Sequence, residues 1–394
     1  MRILLVTSFP IPGDYDGTAM LPIKIARSLR DNGTAVALAY LSARPPWGRP
    51  TRGDFEGMPL YTLPPAHWVA GLKRIRREFG FDLVHAQHYG GATRAYAACR
   101  LNHWPMVYEV HSLLGDEVER DRLGRGTKFR AYIALERRVF RSAAMVITLG
   151  EPVRDVMVEE KGVPADRVRV IYPGIDLAEF PPDGVPAEIP GVGPDHRVVM
   201  YIGSIVHPNQ GVPLLIEALP RVFRDSPQAR CVLVGGPAEA GEAYRRQLGE
   251  FGDRLIVLTG RTPDQVAALA RRADVLVHPR LACRENYSVQ SKLAVYLASG
   301  RPIVATDFAD YRALLGPTGA GRLTAVDPGS IAEGVLDVLG HPDLARSLSA
   351  ATGPVAREYF GMERNLERYR DAYEQALIAG PRSTRRNRRA AGAG

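Results

Sequence analysis

The sequence predicts an α/β protein made of two doubly wound, Rossmann-like parallel sheets facing across a cleft. Three features predict it: short apolar runs alternating with amphipathic stretches, a break in that alternation near mid-chain, and its resumption afterwards. In the first half, Ile3–Thr7, Ala35–Tyr40, Leu83–Ala86, Val107–Val110, Met145–Thr148 and Val168–Ile171 have strand length and composition. Between the first two, MLPIKIARSLRDNG sets Leu21, Ile25 and Leu29 at helical spacing and supplies Gly33 as the stop. Strands and helices alternating in this way form a parallel sheet covered on both faces.

The break is PPDGVPAEIPGVGPDH, residues 181–196, whose five prolines and three glycines are incompatible with a regular element. It reads as an interdomain linker. Strands resume at Val198–Ile202, Cys231–Val234, Ile256–Thr259, Val275–His278 and Ile303–Ala305, with helices such as Pro213–Phe223 and Pro263–Arg272 between them. The expected organisation is a first domain over 1–180, the linker 181–196 and a second domain over 197–354. A helix over 355–379 follows, placed to pack back on the first domain, and then a basic tail over 380–394.

A composition of 45% apolar and 24% charged residues is that of a globular chain. No apolar run approaches the roughly 20 residues of a membrane helix, and MRILLVTSF is too short for a signal peptide. Cys99, Cys231 and Cys283 are far apart without metal-ligand spacing, so reduced thiols in a cytoplasmic protein are expected, with no metal site. Of the net charge of +8, five charges are Arg382, Arg385, Arg386, Arg388 and Arg389 in the terminal tail. That tail has no aromatic residue to stack bases. A solvated end is expected, with no nucleic-acid partner and at most weak peripheral contact with an anionic membrane.

Hydride transfer is disfavoured, because neither SFPIPGDYDGTAM nor YIGSIVHPNQG has the Gly-x-Gly-x-x-Gly turn that a dinucleotide pyrophosphate requires. No P-loop, nucleophile elbow or His-Glu-x-x-His is present. What remains is a set of polar and small residues at the C-terminal ends of strands, where open parallel sheets bind ligands. The first domain contributes Asp16, Gly17, Thr18, His85, His88, Glu109, His111 and Ser112. The second contributes Gly203, Ser204, His207, Asn209, Gln210, Gly235, Gly236, Gly260, Arg261 and the segment ENYSVQSKLAVYLASGRPIVAT, residues 285–306.

Nearly the whole chain resembles the retaining nucleotide-sugar glycosyltransferases of the GT-B architecture, specifically family four. The resemblance is carried by ITLGEPVRDVMVEEKGVPADRVRVIYPGIDLAEF, YIGSIVHPNQGVPLLIEAL, VLVGG, RRADVLVHP and YLASGRPIVAT, in that order. It implies a nucleoside diphosphate sugar as co-substrate, with UDP or GDP as the base-bearing part, and a small-molecule or glycan acceptor. It implies retention at the anomeric carbon and no metal or other cofactor. The donor is expected against Gly203, Ser204, His207, Asn209, Gln210, Arg261, Tyr287, Ser288, Val289, Ser291 and Lys292, with Gly17 from the first domain. Asp16, Thr18, His88 and Glu109 are expected on the acceptor side. His111, in YEVHS, matches a family histidine facing the donor sugar.

Four positions depart from the family pattern. Ser204 stands where an arginine is common, Gln210 where a lysine is, and Tyr287 and Val295 where two glutamates are. Lys292, Arg280, Arg284 and His207 are the candidates to replace the lost positive charge, and Glu285 to replace the acidic partner of the ribose. On this reading His111 and Glu285 stand nearest the chemistry. A non-catalytic binding or scaffold protein of the same ancestry, and a sugar-nucleotide epimerase on the same fold, are the alternatives.

Overall fold

A computed structural model of the chain describes residues 1–11, 20–41, 50–111, 113, 127–181, 183–281 and 289–380. These form two compact units, one comprising residues 1–174 with 362–394 and the other residues 175–361.

Among the described residues the first unit holds eight strands: β1 (Arg2–Thr7), β2 (Ala35–Tyr40), β3 (Thr51–Phe55), β4 (Met58–Thr62), β5 (Leu83–Gln87), β6 (Met106–Val110), β7 (Met145–Thr148) and β8 (Val168–Val170). They lie in the order β3-β4-β2-β1-β5-β6-β7-β8, and every pairing is parallel except β3 with β4. The chain reverses its direction across the sheet between β1 and β5, which pair from Ile3 with Leu83 to Val6 with Ala86. The hairpin β3–β4 spans Thr51–Thr62, where the sequence pattern names no strand. Its first strand, TRGDF, is mostly exposed and has no apolar run, so it gives no strand signal.

The second unit holds β9 (Arg197–Ile202), β10 (Ala229–Val234), β11 (Leu255–Leu258), β12 (Val275–His278), β13 (Ile303–Thr306) and β14 (Arg322–Thr324). All pairings are parallel, in the order β11-β10-β9-β12-β13-β14. Its reversal falls between β9 and β12, whose pairing ends at Met200 with Leu276. Beyond that pair the two strands diverge, and a parallel sheet offers its ligand crevice at such a point.

Residues 181–196 form no helix or strand, but they belong to the second unit and do not bridge freely. Ala187 N donates to Ala268 O, Arg271 donates to Pro181 O, Arg272 donates to Gly193 O, and Ile189 is buried. Turns within the segment, such as Val192 N donating to Ile189 O, satisfy some of its backbone groups, and the helix Pro263–Arg272 supplies further partners. The expected helix over 355–379 is likewise two pieces. A helical stretch ends at Phe360, Gly361 is extended, and a new helix runs Met362–Ala379.

That last helix belongs to the first unit and buries Leu366, Tyr369, Ala372, Tyr373 and Ala376 in the same cluster as Ile3, Leu5, Val36 and Ile147. Leu366, Tyr369, Tyr373 and Ala376, spaced 3, 4 and 3 apart with Ala372 beside them, lie on one face. Burial of each tyrosine body stabilises this docking by roughly 3 kcal/mol on area alone.

Candidate functional site

In the second unit the residue after β9 is Gly203, with φ of +135°. A Cβ there would lie 2.3 Å from the Lys292 Nζ, so the glycine makes room for that ammonium. Lys292 is in the first turn of the helix Ser291–Ala298. Four residues on, along the same helix face, Tyr296 is fully buried. Its hydroxyl accepts from Ile202 N at 2.8 Å and donates to Val277 O at 3.3 Å, spanning β9 and β12 where they diverge. Tyr296 therefore anchors the helix over the reversal point, and Lys292 reaches the end of β9 as a consequence.

The Lys292 ammonium donates to the Tyr201 hydroxyl at 2.8 Å and to Gln210 Oε1. It also lies over the Tyr201 ring, 4.5 Å from its centroid. Tyr201 donates to Ser204 O at 2.9 Å and lies 3.1 Å from Gln210 Oε1. The acceptors around this cation are neutral. Loss of solvent, and then Arg280, push the Lys292 pKa well below its ordinary 10.5. Beside it His278 is held well below 6.5 by burial, then by Lys292 and Arg280. The result is a positively charged niche at the end of β9 without a carboxylate on its lysine among the described residues.

Gln210 is buried, and Gly211 after it takes φ of +68° to start the helix Val212–Asp225. Ser204 and His207 are exposed, with His207 N donating to Ser204 Oγ, and Asn209 O accepts from Leu281 N. Val289 is buried, and Ser291 opens the lysine helix. Arg261 is not brought to this group: it is exposed beyond the edge strand β11, two strands away from β9. Asp16, Gly17, Thr18, Ser112, Arg284, Glu285, Tyr287 and Ser288 lie outside the described residues, as do the basic tail from 381 and most of residues 113–127.

In the first unit, His85 and Gln87 on β5 and Glu109 and His111 at the end of β6 meet in a buried cluster. Glu109 Oε1 accepts from His111 Nε2 at 3.1 Å, and Oε2 lies 3.1 Å from His85 Nε2. The same Oε2 accepts from Gln87 Nε2 at 3.2 Å and from the Tyr369 hydroxyl at 3.1 Å. Burial works against the charge of Glu109, but the hydrogen bonds of His111 and His85 outweigh it and bring the carboxyl down to about 2. His88 follows β5 with φ of +60°, rare for a side chain this size, and its ring packs against Phe9, Tyr89 and His111.

The depressed Glu109 pKa fixes a sign. In the unfolded chain the carboxyl titrates near 4.5 and in the folded one near 2. Its stabilisation is therefore complete above pH 4.5 and is lost as pH falls towards 2. Thermal unfolding followed from pH 6 to pH 2.5 is expected to show a steeper acid loss for the native chain than for Glu109→Gln. Parallel curves would show that Glu109 does not carry this linkage.

Sequence reasoning missed Tyr201, Tyr296, Tyr369 and Tyr373. The signals were present as pairs. Lys292 with Tyr296, and Tyr369 with Tyr373, are four apart on helices, while His85-x-Gln87 and Glu109-x-His111 alternate on strands that are otherwise apolar.

Comparison with known proteins agrees with both units. Residues 15–179 match the family described as Glycosyltransferase Family 4, and residues 196–341 match that described as Glycosyl transferases group 1. A D-inositol 3-phosphate glycosyltransferase of Streptomyces bingchenggensis is 26% identical, over 82% of this chain and 74% of that protein. Another, from Geodermatophilus obscurus, is 28% identical over 93% and 86%. Among solved structures, sucrose-phosphate synthase of Thermosynechococcus elongatus aligns with a TM-score of 0.74 at 18% identity, covering 96% of this chain and 99% of that one. Anabaena HepE in complex with UDP-glucose aligns with a TM-score of 0.70 at 20% identity, covering 95% and 99%.

Two parallel-sheet units of this order have the GT-B fold. Both halves of the chain match glycosyltransferase families, the first Glycosyltransferase Family 4 and the second Glycosyl transferases group 1. Among the described residues no helix is long and apolar enough to cross a membrane, and no group of three or more His, Cys, Asp or Glu side chains is placed to hold a metal ion.

Proposed function

We infer that the chain transfers a glycosyl group from a nucleoside diphosphate sugar to an acceptor nucleophile with retention at the anomeric carbon, using Lys292 as the main cation for the diphosphate. One observation carries this reading: the Lys292 ammonium sits against Gly203 and Gln210, at the place the family serves with charges from positions 204 and 210. The charge has moved from the loop to the helix, so its absence from Ser204 and Gln210 is not the loss of a site. The first turn of the helix Ser291–Ala298, which has no side-chain cap, adds backbone N–H groups that favour an anion. A neutral-walled lysine suits a ligand that brings two negative charges of its own.

The bond between the anomeric carbon and the diphosphate oxygen breaks, the acceptor oxygen bonds to that carbon, and the acceptor proton goes to the departing phosphate. Lys292 stabilises the charge that develops on the diphosphate. This route uses no metal. HepE is described in complex with UDP and with UDP-glucose, which makes a uridine donor the first to test.

Calorimetric titration of UDP, GDP and dTDP, and of their sugars, is the direct experiment. Binding of one nucleotide family, lost by on the order of 100-fold in Lys292→Gln, is expected. Turnover insensitive to EDTA, with a product of unchanged anomeric configuration by NMR, is expected from the same donor. Absence of binding across the panel would sink the reading. Binding without turnover against any acceptor would favour a scaffold descended from the family.

A further inference from the structure

The buried cluster of the first unit fixes which ring nitrogen of each histidine carries its proton. Tyr369 and Tyr373 are fully enclosed, burial raises both well above the usual phenol value, and their hydroxyls stay protonated. The Tyr373 hydroxyl is 2.8 Å from His85 Nδ1 and donates to it, which leaves the His85 proton on Nε2, towards Glu109. Glu109, ionised, can only accept, so the His111 nitrogen 3.1 Å away must also carry its proton. That nitrogen is Nε2. In a neutral His111 the unprotonated nitrogen is then Nδ1.

We propose that Glu109, held by Tyr369 from the C-terminal helix, fixes His111 as the Nε2–H tautomer so that Nδ1 accepts a hydrogen bond from a substrate hydroxyl. This rests on the reading of His111 as a substrate-facing residue. Glu109 and Tyr369 are positioning residues, and the helix Met362–Ala379 thereby becomes part of the catalytic apparatus of the first unit and not only a face of its core. The proposal accounts for an otherwise costly arrangement. A carboxylate with no measurable exposure takes four donors, two of them from histidines, whereas a helix needing only to dock could do so through Leu366, Ala372 and Ala376. It also sets a preference: a neutral acceptor nitrogen favours an O–H on the sugar and disfavours an ionised carboxylate or a deoxygenated carbon at that position.

The test uses the full chain labelled with nitrogen-15 at histidine, with the His111 signals assigned through His111→Gln. In the native protein a pyridine-like Nδ1 and a pyrrole-like Nε2 are expected for His111. Glu109→Gln is expected to give mixed tautomers and at least a tenfold fall in kcat. Tyr369→Phe, which removes one donor from Glu109, is expected to lower kcat by about threefold to tenfold with a smaller change in the KM of the nucleotide sugar. Leu366→Ala loosens the same helix without touching the cluster; it is expected to lower the melting temperature and leave the His111 signals and kcat unchanged.

A His111 protonated on Nδ1 in the native chain, or tautomers unaltered by Glu109→Gln, would overturn the proposal even if transfer is robust. So would a His111→Gln variant with native kcat, because the ring would then face no substrate. If no nucleotide sugar is turned over, the functional reading fails by itself, and the nitrogen signals still decide whether Glu109 and Tyr369 set the tautomer.

Discussion

Exchanging Lys292 and Gln210 for one another is expected to restore most of the nucleotide binding that Lys292→Gln alone removes. The two side chains touch, Nζ on Oε1, so the exchange leaves one cation and one amide in nearly the same volume. Lys292→Gln forfeits a charge-assisted contact to the diphosphate worth roughly 1.5–3 kcal/mol per hydrogen bond. Gln210→Lys alone sets two ammonium groups side by side in a niche poor in water, where the repulsion is on the order of several kcal/mol, and is expected to lower the melting temperature. In the double variant the charge returns through position 210, where the family commonly carries a lysine. Calorimetry with the tightest nucleotide of the panel reads all three variants. Native affinity in Lys292→Gln would place the diphosphate elsewhere.

The same lysine has a cost in stability with a definite sign. Its folded pKa lies below the unfolded 10.5, so between the two the unfolded chain holds more protons and stability rises with pH. An anion reverses the preference by favouring the charged form. Affinity for nucleotide is therefore expected to fall as pH rises through the depressed value. Lys292→Met, close in volume, is expected to stabilise the free protein by about 1 kcal/mol while abolishing binding. Part of the residue remains open to solvent, which keeps that gain small.

Gly211→Ala is expected to be the most destabilising single methyl in the second unit's site, at more than about 3 kcal/mol. Gly211 has φ of +68°, and a Cβ there would stand 1.6 Å from the Pro279 carbonyl oxygen and 2.7 Å from its carbon. Both are backbone atoms at the end of β12 and cannot swing aside. Gly33→Ala separates the two effects, since Gly33 has φ of +79° but open space around the added atom. It is expected to lose only about 1 kcal/mol, the left-handed conformation alone. Denaturant midpoints of the two variants measure the difference; equal losses would show that the approach to Pro279 is relieved by backbone movement. Because Gly211 follows Gln210, this close contact also holds the amide that Lys292 meets.

The doubly wound halves were legible because Ile3–Thr7, Ala35–Tyr40, Val275–His278 and similar runs are apolar on both faces, as strands in a covered parallel sheet must be. The hairpin β3–β4 was not, because an exposed edge strand has no need of an apolar pattern. Residues 181–196 correctly read as irregular, yet their attachment to the helix Pro263–Arg272 depends on hydrogen bonds to a segment some 80 residues away. Gly361 gave no signal as a helix break, since its extended backbone is fixed by its surroundings.

At the site the inventory is legible in the chain: a glycine after β9, an amide where a base is common, a lysine seven places after Glu285, and Glu-x-His at the end of β6. The sequence offers Lys292 as a donor-binding candidate beside Arg280, Arg284 and His207. That Lys292 meets Gln210 and not Arg261 follows from packing, because Tyr296 pins its helix where β9 and β12 part. Only the fold, too, brings Tyr369 to Glu109 across 260 residues of chain. Local pattern follows from steric and hydrophobic preferences a few residues long; which charge faces which acceptor is set by packing between elements that are distant in sequence, where no local preference reaches.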